Sequence, residues 1–355
     1  MAALLFLSGC NKAKQFTVTL NLDNADGQTL YLFKDIDGKQ VCVDTAIFTG
    51  NQAVMSVGLD DPQALYAIGS KPFDGMGEFP FFTENQNTTI TGDIGDMSHW
   101  TVKGCPIMDA YNAYREELQI KEDAMMAKFS EARNAFMEGD TVKVAELQAQ
   151  LETDMEDYQN YTVDYVKTHP DSYLAHFILL QGMDEFGYET VKELAEGFTT
   201  ESVYSKRIDE YLAENAKVEV GARFIDFTLK TADGQDVNLE TVVSRNRVVL
   251  VDFWASWCGP CRGENPYVKA AYERYHADGF EIVGVSLDQD EAAWLKAVAD
   301  DGMTWIQVRD TDNNAAANYK VKYIPSNFLF DSNGVMIAKG LRGEALEAKL
   351  AEVLQ

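Results

Sequence analysis

The chain lacks any apolar run long enough to span a bilayer as a helix, and it is short of positive charge. Its 30 Lys and Arg stand against 57 Asp and Glu, a formal net charge of −27 at pH 7. A surface of this sign repels nucleic-acid phosphates and anionic headgroups, so no nucleic-acid partner is expected. The acidic residues are spread along the chain and form no long acidic tail, which is the pattern of a solvated surface. Cysteine is sparse, with five residues (Cys10, Cys42, Cys105, Cys258 and Cys261). An odd number cannot all pair within the chain, and 355 residues do not need a disulfide framework. Histidine is scarcer still, at four. No second Cys-x-x-Cys and no paired His pattern accompanies Cys258 and Cys261, so a zinc site there would want its remaining ligands and no metal is expected. There is no internal repeat and no low-complexity linker.

What remains is ordinary globular composition, 46% hydrophobic and 25% charged, over a length that suits two or three domains. Residues 14–105 read as an all-β region. Phe16, Val18, Leu20 and Leu22 alternate with polar residues, and similar runs follow at 30–33, 41–43, 53–57, 65–68 and 88–91. Asp26-Gly27, Asp37-Gly38, Gly50-Asn51 and Gly92-Asp93 supply turn signals between them, so a small sandwich is expected. Cys42 and Cys105 are expected as two separate, mostly buried thiols.

The period then changes. Across 106–216, Tyr111, Tyr114, Leu118, Met125, Phe129, Ala132 and Phe136 fall at helical spacing. Beyond Gly139-Asp140 so do Val144, Leu147, Leu151, Met155, Tyr158 and Tyr165. Two long acidic helices in a hairpin are expected, with the Met and aromatic stripe as their core seam and Asp140 as a cap. Shorter helices are expected at 172–182, 189–196 and 201–215. From 217 to 355 strands and helices alternate. Buried-type strands at 247–253 and 280–287, helical stretches at 261–276 and 291–299, and an Asn333-Gly334 hairpin turn describe a sheet covered on both faces.

Trp257-Cys258-Gly259-Pro260-Cys261 follows the first of these strands and opens a helix. Two sulfurs three positions apart can close a small disulfide ring, and the unpaired N–H groups of a helix start stabilise a thiolate. Cys258, at the mouth of the turn, is expected to be the exposed nucleophile. Cys261, one turn further in, is expected to be the buried resolving thiol. Pro260 stiffens the first turn, where its missing N–H costs little.

The segment 248–262, VVLVDFWASWCGPCR, resembles the thioredoxin active site, and Tyr323-Ile324-Pro325-Ser326 matches that family's cis-proline loop. The resemblance implies that Pro325 packs beside the disulfide and that Ile324 offers backbone hydrogen bonds to a bound peptide, with Trp257 on the same substrate surface. Within the family the chain is most similar to the TlpA/ResA-like proteins of the bacterial envelope. Phe224-Ile225-Asp226-Phe227-Thr228-Leu229 before Asp233-Gly234 looks like their added β-hairpin, and Cys261-Arg262-Gly263-Glu264-Asn265-Pro266 resembles the continuation that carries their active-site glutamate. Asp252 stands where thioredoxin has its buried aspartate, whereas TlpA/ResA-like proteins often carry Asn there. A buried carboxyl has a raised pKa and can take a proton from Cys261, so Asp252 and Glu264 are the proton-transfer candidates. By their residue types alone, Asp252 would also suit a strand end and Glu264 a solvated helix face.

The start of the chain, MAALLFLSGC at 1–10, resembles a bacterial lipobox, with an apolar run and small residues ahead of a cysteine. It implies a signal and anchor region at 1–13, lipidation at Cys10 and residence in the cell envelope, where disulfide chemistry is permitted. The same residues would also suit a short apolar element with a buried Cys10. The resemblance implies a thiol-disulfide oxidoreductase without a cofactor, acting on disulfide-bonded or thiol-containing envelope proteins and recharged by a membrane thiol donor. Gly-Pro between the cysteines is thioredoxin's pair (potential roughly −270 mV) rather than that of the oxidant DsbA (about −120 mV), so a reductase is expected. Two other readings stand beside it. One is a scaffold lipoprotein that binds through its β region. The other is a peroxiredoxin-like peroxidase, which would need a Pro/Thr loop and an Arg about its cysteine.

Overall fold

The computed structural model describes residues 15–36, 39–58, 64–69, 78–83 and 86–354. The chain divides into two compact units, Met1–Ile208 and Asp209–Gln355, with the division inside a helix, α5 below.

In the first unit, eight strands build two four-stranded sheets: β1 (Gln15–Asp23), β2 (Thr29–Ile36), β3 (Lys39–Ile47), β4 (Gln52–Gly58), β5 (Ala64–Gly69), β6 (Glu78–Thr83), β7 (Thr88–Asp93) and β8 (Asp96–Lys103). Their orders are β4-β1-β7-β8 and β3-β2-β5-β6, and β1 with β7 is the parallel pair. The alternation read in β1 is real: Phe16, Val18, Leu20 and Leu22 are all buried. Phe16 meets Tyr66 edge-on and Phe79 meets Trp100, so rings from both sheets fill the space between them as in a sandwich.

Strands β6 and β8 have no counterpart in the sequence reading. The turn before β8 is Ile94-Gly95, one step beyond the Gly92-Asp93 signal. Gly92 lies within β7 because a Cβ there would collide with the Trp100 indole. Asp37-Gly38 lies outside the described residues. Cys42 corrects another expectation. It is exposed, because β3 is an edge strand with a register shift opposite Leu32 and Phe33. Cys105 is buried, with its Sγ 3.0 Å from the Phe82 carbonyl oxygen.

The helical middle consists of α1 (Pro106–Glu138), α2 (Thr141–Thr168), α3 (Tyr173–Phe186), α4 (Tyr188–Glu196) and α5 (Val203–Asn215). Gly139, at φ 77°, ends α1, and the Asp140 carboxylate caps α2 by accepting from Lys143 N at 3.0 Å. Phe82 of β6 packs against Tyr111 and Phe177, and the Tyr204 hydroxyl accepts from Leu65 N at 2.8 Å. These contacts join the sandwich and the helices into one body. The expected seam holds over much of its length: Tyr114 stacks on Tyr161, Leu118 and Leu147 are buried, and Met125, Ala132, Val144 and Leu151 are partly buried. Phe129 and Phe136 are exposed. A helix of 33 residues runs about 50 Å, so its far half outreaches the shorter helices that pack on the hairpin. There Lys128–Asp154 and Lys143–Glu131 ion pairs join α1 to α2.

The second unit is a seven-stranded sheet of order β10-β9-β13-β12-β11-β14-β15. Its strands are β9 (Thr228–Lys230), β10 (Asp236–Asn238), β11 (Val248–Trp254), β12 (Phe280–Ser286), β13 (Ile306–Arg309), β14 (Ser326–Asp331) and β15 (Met336–Lys339). The helices are α6 (Leu239–Val243), α7 (Gly259–Tyr275), α8 (Glu291–Asp301), α9 (Asn314–Asn318) and α10 (Glu344–Leu354). β11, β12 and β13 run parallel, β14 runs antiparallel to β11, and β15 runs antiparallel to β14, which is the thioredoxin fold with the added β9–β10 hairpin. Every residue of β11 is buried because both faces are covered. Val249, Val251 and Phe253 enter the core shared with Leu239 and Tyr319. Val248, Leu250 and Trp254 enter the one shared with Val268 and Leu350. By this two-residue period Asp252 falls on the Leu250 and Trp254 face, the one covered by α7 and α10.

Candidate functional site

β11 ends at Trp254, and the chain turns through Ala255-Ser256-Trp257 into α7. Cys258 is the N-cap of that helix, and its Sγ accepts from Cys261 N at 3.2 Å. Cys258 and Cys261 form a disulfide, with 5.3 Å between their Cα atoms. Both sulfurs therefore sit in the positive field of the α7 N-terminus.

The expectation of an exposed Cys258 is not met, since only 5% of it is accessible. Both cysteines belong to the same buried cluster as Leu250 and Trp254, with Ile324 packed on it. Cys258 Sγ lies 3.7 Å from the Ile324 carbonyl oxygen, and the Ile324–Pro325 peptide is cis. The exposed parts of this edge are neighbouring aromatic rings, with Trp257 at 69% and Tyr323 at 84% accessible.

On the face of β11 covered by α7, burial pushes the Asp252 carboxyl up to about 7, with the Arg342 charge opposing that rise and the Glu264 charge adding to it. Glu264 is half-buried, not on a solvated face, and its Oε2 accepts from Gly343 N at 2.8 Å. Asn327 faces Asp252 across the β11–β14 ladder and exchanges two 2.9 Å bonds with the backbone of Leu341.

The sequence reading missed the residues that hold this turn. Asp288 is buried and accepts from Ser256 N at 2.8 Å, from Ser256 Oγ at 2.5 Å and from Ser286 Oγ at 2.7 Å. From the other side Arg262 donates to the Ser256 carbonyl at 3.3 Å, while its fork grips Asp301, which also accepts from Asn265. Ser256 is thus clamped from two directions one residue before Trp257. The only advance signal was Arg262 directly after the motif. Cys10 lies outside the described residues.

A disulfide at a helix N-terminus and against a cis-proline loop can exchange with thiols: one sulfur can be attacked while the other leaves. Comparison with known proteins agrees. The AhpC/TSA family matches residues 220–339, and a domain of unknown function (DUF4369) matches 16–111. The thiol-disulfide oxidoreductase ResA of Geobacillus thermodenitrificans is 32% identical over 124 residues, 35% of this chain and 70% of the relative. A ResA of Bacillus cereus is 27% identical over 145 residues, 41% of this chain and 82% of the relative. The crystal structure of the thioredoxin domain of a Bacteroides vulgatus thiol-disulfide oxidoreductase is 32% identical; the match covers 39% of this chain and 99% of that one, with a TM-score of 0.37. The chain belongs to the ResA-like thiol-disulfide oxidoreductases of the thioredoxin family. Among the described residues no helix is long and apolar enough to cross a membrane.

Proposed function

We propose that the chain reduces protein disulfides in the bacterial cell envelope, with Cys258 as nucleophile and Cys261 as resolving thiol. The observation that carries this reading is the Cys258–Cys261 disulfide at the start of α7, on the sheet face that also carries Asp252.

In the reduced enzyme the Cys258 thiolate attacks one sulfur of a substrate disulfide. The first substrate thiolate leaves and a mixed disulfide remains. Asp252 accepts the Cys261 proton, and the Cys261 thiolate attacks Cys258 Sγ. The second substrate thiolate is released and takes up a proton. The substrate gains two electrons and the enzyme ends as the disulfide, so a dithiol donor must reset it. Glu264 lies close enough to Asp252 to act on it through its charge, which suits it to assist the same proton transfer. Trp257, Ile324 and Pro325 form the surface on which the substrate chain lies. Substrates would be disulfide-bonded or thiol-containing envelope proteins, the donor a membrane thiol relay, and the anchor a lipid on Cys10.

The test is the reduction potential of the Cys258–Cys261 pair, measured by equilibration with dithiothreitol buffers and mass spectrometry. A value near −270 mV supports a reductase, and one near −120 mV reverses the direction. Acyl-chain mass on the Cys10 peptide would establish the anchor, and an unmodified Cys10 in the native membrane fraction would remove it.

A further inference from the structure

The segment that follows β15 reaches three parts of the site at once. Leu341 is tied through its N–H and carbonyl to Asn327, the residue paired with Asp252 across the ladder. Gly343 N donates to Glu264. Between them, the half-buried Arg342 donates from one Nη to the Pro325 carbonyl and from the other, at 2.8 Å, to the carbonyl of Leu341. Pro325 follows directly on Ile324, whose carbonyl oxygen touches Cys258 Sγ.

We infer that Arg342 is a positioning residue with two separable tasks: its guanidinium fork fixes the Pro325 side of the substrate loop, and its charge, on the segment tied to Asp252's ladder partner Asn327, acts on the Asp252 carboxyl. This rests on the reading of Asp252 as the proton acceptor. The charges that act on Asp252 are those of Arg342, on the segment after β15, and Glu264, on α7; its ladder neighbours on β12 and β14 are the uncharged Gly284 and Asn327. Arg342 opposes both burial and Glu264, and so keeps the carboxyl able to titrate in the neutral range. A planar fork donates in two fixed directions, whereas a lysine supplies the same charge as a single point. The Lys variant therefore separates the two tasks.

The test uses the full-length oxidised chain labelled with 13C at aspartate Cγ, with Asp252 assigned by its loss in D252N. Arg342→Met should move the Asp252 midpoint up by about one pH unit, the low end for removing an adjacent opposite charge. Arg342→Lys should hold the midpoint within about 0.3 unit. With insulin as the disulfide probe, R342K should raise KM several-fold at near-constant kcat, because the clasp on Pro325 is lost. An unmoved midpoint in a folded R342M overturns the inference, and so does an R342K shift as large as that of R342M. Thiol alkylation of the reduced protein against pH separates this claim from the one beneath it. A D252N profile identical to wild type removes Asp252 from proton transfer, and the Arg342–Asp252 coupling is then decided by the midpoint alone.

Discussion

Replacing Asp252 by Asn should stabilise the oxidised protein at alkaline pH and leave it nearly unchanged in acid. An ordinary aspartate has a pKa of 3.8, and burial raises this one to about 7. Between those values the folded state holds a proton that the unfolded state has released, so stability falls as pH rises. Well below pH 3.8 the carboxyl is neutral in both states and burial carries no ionic cost. Above pH 8 the fold must bury a carboxylate. A difference of about three pH units corresponds to roughly 4 kcal/mol, of which the fully alkaline protein bears the whole. Asn is close in size and cannot ionise. The stability of D252N relative to wild type should therefore grow by about 4 kcal/mol between pH 4 and pH 8.5, roughly 10 °C in midpoint for a unit of this size. The assay is urea unfolding of the disulfide-intact full chain at a series of pH values, followed by tryptophan fluorescence. Trp254, Trp257, Trp294 and Trp305 all lie in the second unit and only Trp100 in the first, so the signal reports the unit that contains Asp252. Taking the difference between variant and wild type cancels the other titrating groups. A flat difference across the range would refute the reasoning, as would one that shrinks with rising pH.

Three further outcomes follow from the same contacts. Asp288→Ala strands the Ser256 N–H and two hydroxyls in a buried turn. It should cost about 3 kcal/mol in the second unit and slow insulin reduction at least tenfold, read by fluorescence unfolding and turbidity. Asp140→Ala removes the cap of α2 and should cost about 1 kcal/mol in the first unit by far-UV circular dichroism, with the reduction potential of the cysteine pair unchanged. Trp257→Ala and Tyr323→Ala remove exposed rings beside the disulfide. Each should lower kcat/KM for insulin about tenfold and leave reaction with oxidised glutathione within twofold, and equal losses on both substrates would show that the rings support the turn instead.

The second unit was legible because its signals are local. Residues 248–254 are a continuous apolar run with one carboxyl, and a strand covered on both faces is what such a run makes. The Cys-Gly-Pro-Cys spacing marked the helix start independently. The first unit hides more. In β6, Pro80 and the adjacent buried Phe81 and Phe82 break the alternation by which a strand is recognised, because one ring faces Tyr66 and the other faces the helices. In β8 only Trp100 and Val102 are buried, and Gly92, which resembles a turn residue, makes room for that indole. The distal hairpin misled in the opposite way: Phe129 and Phe136 have the spacing of a buried stripe but are exposed among the described residues.

The parts of the site that were missed share a physical character. Asp288 meets Ser256 across 32 residues, Arg342 meets Pro325 across 17 and Gly343 meets Glu264 across 79, and none of these pairs leaves a mark on local periodicity. Each is a polar group whose burial is tolerable only because the fold brings it a partner. The cysteines could be read because their chemistry demands a fixed spacing. Their supports satisfy valences, and many sequences can do that. The burial of Cys258 follows from the same logic. A sulfur that caps α7 and packs against Ile324 cannot also stand in solvent, so exposure passes to Trp257 and Tyr323 beside it. In the proposed function, recognition and reaction thereby fall on different residues. There the rings offer apolar surface to the substrate beside the reacting sulfur, on an edge held by the Ser256 clamp and the Arg342 fork.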